Sequence, residues 1–171
     1  MRRIIATAAL AFAAVPLGAQ AAFKSEFLGA YGGYESKFVQ LAEATPWEKY
    51  NFKPSKDVRS TCEVFMHVTY DNYVLGGAVG LAMPPEMKGP TPEKCPADKA
   101  KVIVAMKTSF AAFNAAVKAM KDADLDAKAT LFGSSQTKRA WLLGTASHAG
   151  EHLGQSIAYA RMNNIVPPWS K

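Results

Sequence analysis

The chain has 171 residues, of which 49% are hydrophobic and 20% charged, with a formal net charge of +6. That length suits one domain with a buried core, and the apolar content excludes a disordered chain. The lysines are interspersed with acids and form no arginine-rich stripe, so the charge reads as a solvated surface, with no nucleic-acid footprint.

The N-terminus is a different kind of sequence. Arg2 and Arg3 precede an almost wholly apolar run from Ile4 to Leu17, and Ala19-Gln20-Ala21 places small residues where a signal peptidase reads. This is the layout of a secretory signal peptide. The run is shorter than the roughly 20 residues that span a bilayer. The expectation is a leader over residues 1–21, a mature domain over 22–171, no stable membrane insertion after cleavage and a periplasmic (secreted) location. Loss of Arg2 and Arg3 lowers the net charge to +4. Cys62 and Cys95 both lie in the mature part, and an even pair in an oxidising compartment is a disulfide candidate. Neither sits in a Cys-x-x-Cys or Cys-x-x-Cys-His motif, which leaves thioredoxin-like chemistry and covalent c-type haem without a signature.

Beyond the leader the apolar spacing is helical nearly throughout, and no segment alternates with the period of a strand. A first helix is expected over about 24–43, with Phe27, Tyr31, Tyr34, Phe38 and Leu41 on one face; Gly32 and Gly33 weaken it and Pro46 stops it. A second is expected over about 56–81, with Ser55 as N-cap and Asp57 in its first turn. The third, about 97–122, carries Val102, Met106, Phe110, Phe113, Val117 and Met120 on one stripe. The fourth, about 135–163, begins behind Gly133-Ser134 and ends at Asn163-Asn164, where asparagine tolerates the left-handed backbone of a helix end and Pro167-Pro168 prevents continuation.

Four such helices in one domain make a four-helix bundle, all-α in class. The connection over 82–96 has 15 residues, five of them proline, whereas antiparallel neighbours are usually joined by roughly 2–8. A connection this long can run back along the second helix. That would make helices two and three parallel, give an up-down-down-up order, and bring Cys95 beside Cys62. The crossover and the disulfide support each other.

The chain has only three histidines. His148 and His152 are spaced i, i+4 on the fourth helix, so both rings project from one face and can serve one ion. His67 lies on the second helix and reaches the same point if the two helices face each other. Three imidazoles around one divalent ion leave a coordination position for water or substrate, the pattern of catalytic sites. Such an ion can acidify bound water, polarise a substrate oxygen or activate a thiol. On the fourth helix Gln155 and Tyr159 share the histidine face and Glu151 lies at its edge, so all three are candidate outer contacts. On the second helix Glu63 and Asp71 each stand four residues from His67, and either could accept its second N–H. Because Glu151 directly precedes the second histidine, the arrangement differs from the His-Glu-x-x-His of zincins.

The segment His148-Ala-Gly-Glu-His-Leu-Gly-Gln155, followed by Tyr159, Arg161 and Asn163-Asn-Ile-Val-Pro-Pro-Trp-Ser170, resembles the C-terminal signature of the DinB/YfiT-like family. The stretch from Phe52-Lys-Pro54 through Asp57-Val-Arg59 to His67 resembles the region of that family's first histidine. The resemblance implies a four-helix bundle with its middle helices parallel and a site of three histidines at His67, His148 and His152. It implies zinc or nickel as the ion, with manganese or iron as further choices, and a homodimer as the assembly to look for. Asn164 stands where the family commonly has glycine. Characterised relatives include transferases that use low-molecular-weight thiols, cytoplasmic reagents that an exported member would not meet.

Four functions fit these residues. The first is a metal-dependent hydrolase or transferase acting on a small molecule at the open histidine site. The second is a non-catalytic metal- or small-ligand-binding or sensing protein of the cell envelope. A b-type haem bundle, using a histidine with Met66 or a second histidine, and an inert helical module complete the set.

Overall fold

A computed structural model describes residues 17–91 and 93–170. The expected leader lies outside the described residues, except that the first helix, α1 (Leu17–Ala44), begins within it. Gly32 and Gly33 sit inside α1 without breaking it, because Phe27, Tyr31, Phe38 and Leu41 on its inner face are all buried. Tertiary burial of about 1.5–3 kcal/mol per large apolar side chain outweighs the glycine cost.

The second helix, α2 (Thr61–Gly76), starts later and ends earlier than its apolar pattern suggests. Ser55 is not its N-cap. Ser60 is, and it forms a capping box: its hydroxyl accepts from the Glu63 N–H at 3.2 Å and the Glu63 carboxylate accepts from the Ser60 N–H at 2.7 Å. Two further amides of the first turn, on Thr61 and Cys62, donate to the carbonyls of Phe52 and Tyr50. Residues 51–60 are thereby held as a turn against the helix start. At the other end, the backbone turns at Gly80, whose φ of 89° is left-handed, and the Leu81 N–H closes on the Gly76 carbonyl.

Helix α3 (Lys99–Ala119) is capped by Asp98, whose carboxylate accepts from the Lys101 N–H at 2.9 Å. A two-stranded antiparallel hairpin follows, β1 (Lys128–Leu131) and β2 (Ser134–Thr137). This corrects the strand-free expectation. Its two-residue turn, Phe132-Gly133, has positive φ at both positions (53° and 74°), as a type I′ hairpin turn requires. The strands are short and mostly polar, so they carry no apolar alternation. The Trp141 indole N–H, donating to the Ala129 carbonyl at 2.9 Å, ties them to the final helix. That helix, α4 (Lys138–Met162), is capped by the Thr137 hydroxyl. It ends as expected at a left-handed asparagine, Asn164 with φ 59°, and the Ile165 N–H reaches back to Ala160.

Long-range contacts fix the order of the bundle. Lys24, about two turns into α1, bonds the Met120 carbonyl beyond the end of α3, and Lys99 at the start of α3 bonds the Thr45 carbonyl just past α1. These two helices are antiparallel. Asn72 of α2 donates to Ser109 of α3 at 2.9 Å, and Gly76 faces Phe113 four residues further along each helix. Helices α2 and α3 are therefore parallel. Helix α4 runs against α2, since His148 meets Asp71 while Tyr159 meets Arg59 just before α2 begins. The order is up-down-down-up. The crossover carries Cys95 back to the head of α2, where it is disulfide-bonded to Cys62 with their Cα atoms 5.7 Å apart. Tyr31, Phe38, Phe110 and Phe113 pack at the centre with ring centroids 4.8–6.1 Å apart.

Candidate metal centre

His67 occupies the second turn of α2, on the side facing α4, and His148 and His152 are successive turns of α4. Antiparallel packing of the two helices brings one ring nitrogen from each histidine within 4.8 Å of the other two. The ring centroids lie 4.5–5.2 Å apart. All three side chains are partly buried, so the cluster is shielded yet reachable.

The inner face of the cluster is made of Nε2 atoms. His148 Nε2 and His152 Nε2 are 3.1 Å apart. Asp71 Oδ2 lies 3.1 Å from His67 Nε2 and 3.0 Å from His148 Nε2. Three imidazole nitrogens and a carboxylate oxygen converge here, and these are the N/O donors that divalent ions take. The donor set therefore fits a metal ion.

The outer nitrogens are engaged by acceptors, as in metal sites where a second hydrogen bond fixes ring and tautomer. His67 Nδ1 donates to Glu93 Oε1 at 2.7 Å, and His152 Nδ1 donates to Gln155 Oε1 at 2.8 Å. The Gln155 amide in turn donates to the Tyr159 hydroxyl at 3.0 Å, which donates to the Arg59 carbonyl at 3.2 Å. Burial holds the His152 imidazole below its ordinary pKa; nearby His148, His67 and Arg59 push the same way, against the Gln155 hydrogen bond. The neutral ring, the form that ligates a metal, is thereby favoured.

The structure brings His67, His148, His152, Asp71, Gln155 and Tyr159 together. It does not bring Glu63 to His67: that carboxylate is committed to the α2 capping box and to Lys53 at 3.0 Å, and both hold its pKa below the usual range, the Ser60 N–H most. Glu151 is exposed, and Met66 is buried in the core cluster. Glu93 and Arg59 escaped the sequence pattern because neither shares a helix face with a histidine. A signal existed, however. Glu93 is two residues from Cys95, and Cys62 is five residues before His67, so the expected disulfide already implied an acid near the site.

Beside His152 and Gln155 opens a cleft of about 960 Å³, walled by the 53–59 turn and the crossover. Lys53, Lys56, Arg59 and Lys94 line it together with Asp57, Glu63 and Glu93.

The DinB superfamily profile matches residues 34–156, a span that holds all three histidines. The chain belongs to the DinB superfamily. Its fold is similar to that of a DinB-like protein from Bacillus cereus, with a TM-score of 0.74 at 18% identity over 83% of this chain and 93% of the other. It is also similar to a DinB-like protein from Bacillus subtilis, with a TM-score of 0.68 at 19% identity over 85% of this chain and 97% of the other. At these identities the likeness concerns the DinB bundle alone. No curated protein matches this sequence.

Proposed function

We propose that this DinB-superfamily protein binds one divalent metal ion through His67, His148 and His152 and acts as a metal-dependent hydrolase or transferase on a small molecule held in the adjoining cleft. The observation that carries the proposal is the convergence of the chain's three histidines, from two helices, with the Nδ1–H of His67 and of His152 each donated to an outer acceptor. A bound ion with an open position would supply Lewis acidity and an acidified water. Zinc or nickel is the first choice, then manganese or iron(II). Asp71, between two of the rings, is placed to take a proton from water beside the ligands or to balance the ion's charge. The cleft's lysines and Arg59 would orient the substrate.

The same ligands would serve an envelope protein that only binds metal or a small ligand, and turnover separates the two. Export to the periplasm belongs to this proposal, supported by the leader-like N-terminus and by a disulfide of the kind that persists in oxidising compartments.

The test is elemental analysis of the untagged mature protein beside a His148→Ala/His152→Ala variant, followed by a substrate panel on the loaded form. About one equivalent of metal, lost in a variant of unchanged helicity, supports the site. No metal in either protein after incubation with zinc, nickel, manganese and iron(II) removes it.

A further inference from the structure

The most unusual contact at the site comes from neither ligand-bearing helix. Glu93 belongs to the crossover, where none of the described residues from Lys88 to Pro96 is in a helix or strand. Its carboxylate accepts from two donors. Oε1 takes the His67 Nδ1–H at 2.7 Å, and Oε2 takes the Arg59 Nε–H at 2.9 Å.

These bonds close a chain around the site. Arg59 also offers its carbonyl to Tyr159, Tyr159 its oxygen to Gln155, and Gln155 its oxygen to the His152 Nδ1–H. The outer nitrogens of two ligands on facing helices are thus joined through the crossover. A carboxylate at the outer nitrogen aims the ring and makes the inner nitrogen a stronger donor to a metal.

Something must keep Glu93 there. Its ion pair with Arg59 is too exposed to hold a loop, at 43% and 27% side-chain exposure. Among the described residues adjoining Glu93, the backbone makes one turn hydrogen bond, Lys94 N–H to the Thr91 carbonyl. The covalent restraint is the disulfide: Cys95, two residues on, is bonded to Cys62, and Cys62 lies on the helix that carries His67, five residues before it. The bond therefore fixes the crossover relative to the ring that Glu93 addresses.

We propose that Glu93 is the positioning residue for the metal ligand His67, and that the Cys62–Cys95 disulfide is the tether that keeps Glu93 in place. The inference rests on the metal reading above. It makes an apparently structural disulfide a determinant of metal affinity, so the same chain would hold its ion tightly with the bond formed and loosely without it.

Zinc(II) affinity, measured on the full mature chain by competition with a chromophoric chelator, tests this. Glu93→Ala and Cys62→Ser/Cys95→Ser should each weaken binding about 10–100-fold. Glu93→Gln should recover part of the loss, since its amide oxygen still accepts from His67. Combining Glu93→Ala with the cysteine pair should add little, because both remove one interaction. Imidazole ¹⁵N spectra should show the His67 Nδ1–H in the native protein and its loss of protection in Glu93→Ala. Unchanged zinc affinity in a Glu93→Ala protein of native helicity overturns the positioning role, and additive losses overturn the tether. Should the cysteine variant fail to fold, the Glu93→Ala and Glu93→Gln pair still decides the first point. Failure of the native protein to bind zinc, nickel, manganese or iron(II) would instead overturn the metal reading itself.

Discussion

His148 and His152 face each other across 3.1 Å through their Nε2 atoms. One helical turn separates them, so the spacing alone brings the rings to one side. A cation between the rings would accept both Nε2 lone pairs at once. Metal should therefore stabilise the fold. At a free concentration 100-fold above its dissociation constant, an ion that binds only the native state contributes about 2.7 kcal/mol. The expected result is a higher Tm with zinc or nickel than after chelation, in scanning calorimetry. The gain should vanish in His148→Ala/His152→Ala, and an equal shift in that variant would place the binding elsewhere.

Asp71 sits between two imidazole nitrogens, 3.1 Å from Nε2 of His67 and 3.0 Å from Nε2 of His148. Replacing it with asparagine keeps the shape and removes the charge. Asp71→Asn should weaken metal binding by about 10–100-fold while leaving helicity intact. Titration calorimetry would check this, and native affinity in the variant would show that the carboxylate plays no part in holding the ion.

The depressed pKa of His152 sets a pH dependence for the metal-free protein. Its ordinary value is 6.5, and burial holds the native value lower. Below 6.5 the unfolded chain takes up a proton that the folded ring still refuses. The stability tied to this ring is thus fully present above pH 6.5 and is lost as the pH falls toward the depressed native value. Urea unfolding of chelator-treated protein between pH 8 and pH 5 should show that loss. His152→Gln should lack this part of it, and parallel profiles for the two proteins would assign the slope to other groups.

Ser60 and Glu63 exchange two hydrogen bonds at the head of α2. Losing an N-cap hydroxyl costs about 1 kcal/mol, so Ser60→Ala should lower the unfolding free energy by roughly that amount. Ser55→Ala should be near neutral, because residue 55 lies in the preceding turn. Chemical denaturation of the two variants compares them directly, and a larger effect at Ser55 would contradict the observed helix start.

Much of the architecture was legible before any coordinates. The i, i+4 spacing of His148 and His152 follows from helix geometry, which depends on the chain only locally. The length of the 82–96 connection allowed a crossover that would make helices two and three parallel and bring Cys95 beside Cys62, and the structure has both. Asn164 announced the left-handed end of α4. What stayed hidden shares one cause: each feature depends on which distant groups are nearest after folding. Ser60 displaced Ser55 as the cap because the Tyr50 and Phe52 carbonyls reach the first amides of α2. The polar hairpin is stabilised from outside by Trp141. Glu63 and Asp71 were equivalent by spacing, four residues either side of His67. Only the packing of α4 against α2 turned Asp71 toward the histidines and left Glu63 to the helix cap. Glu93 belongs to no periodic pattern at all. Periodicity in a sequence reports the geometry of one element, whereas the site is made where several elements meet.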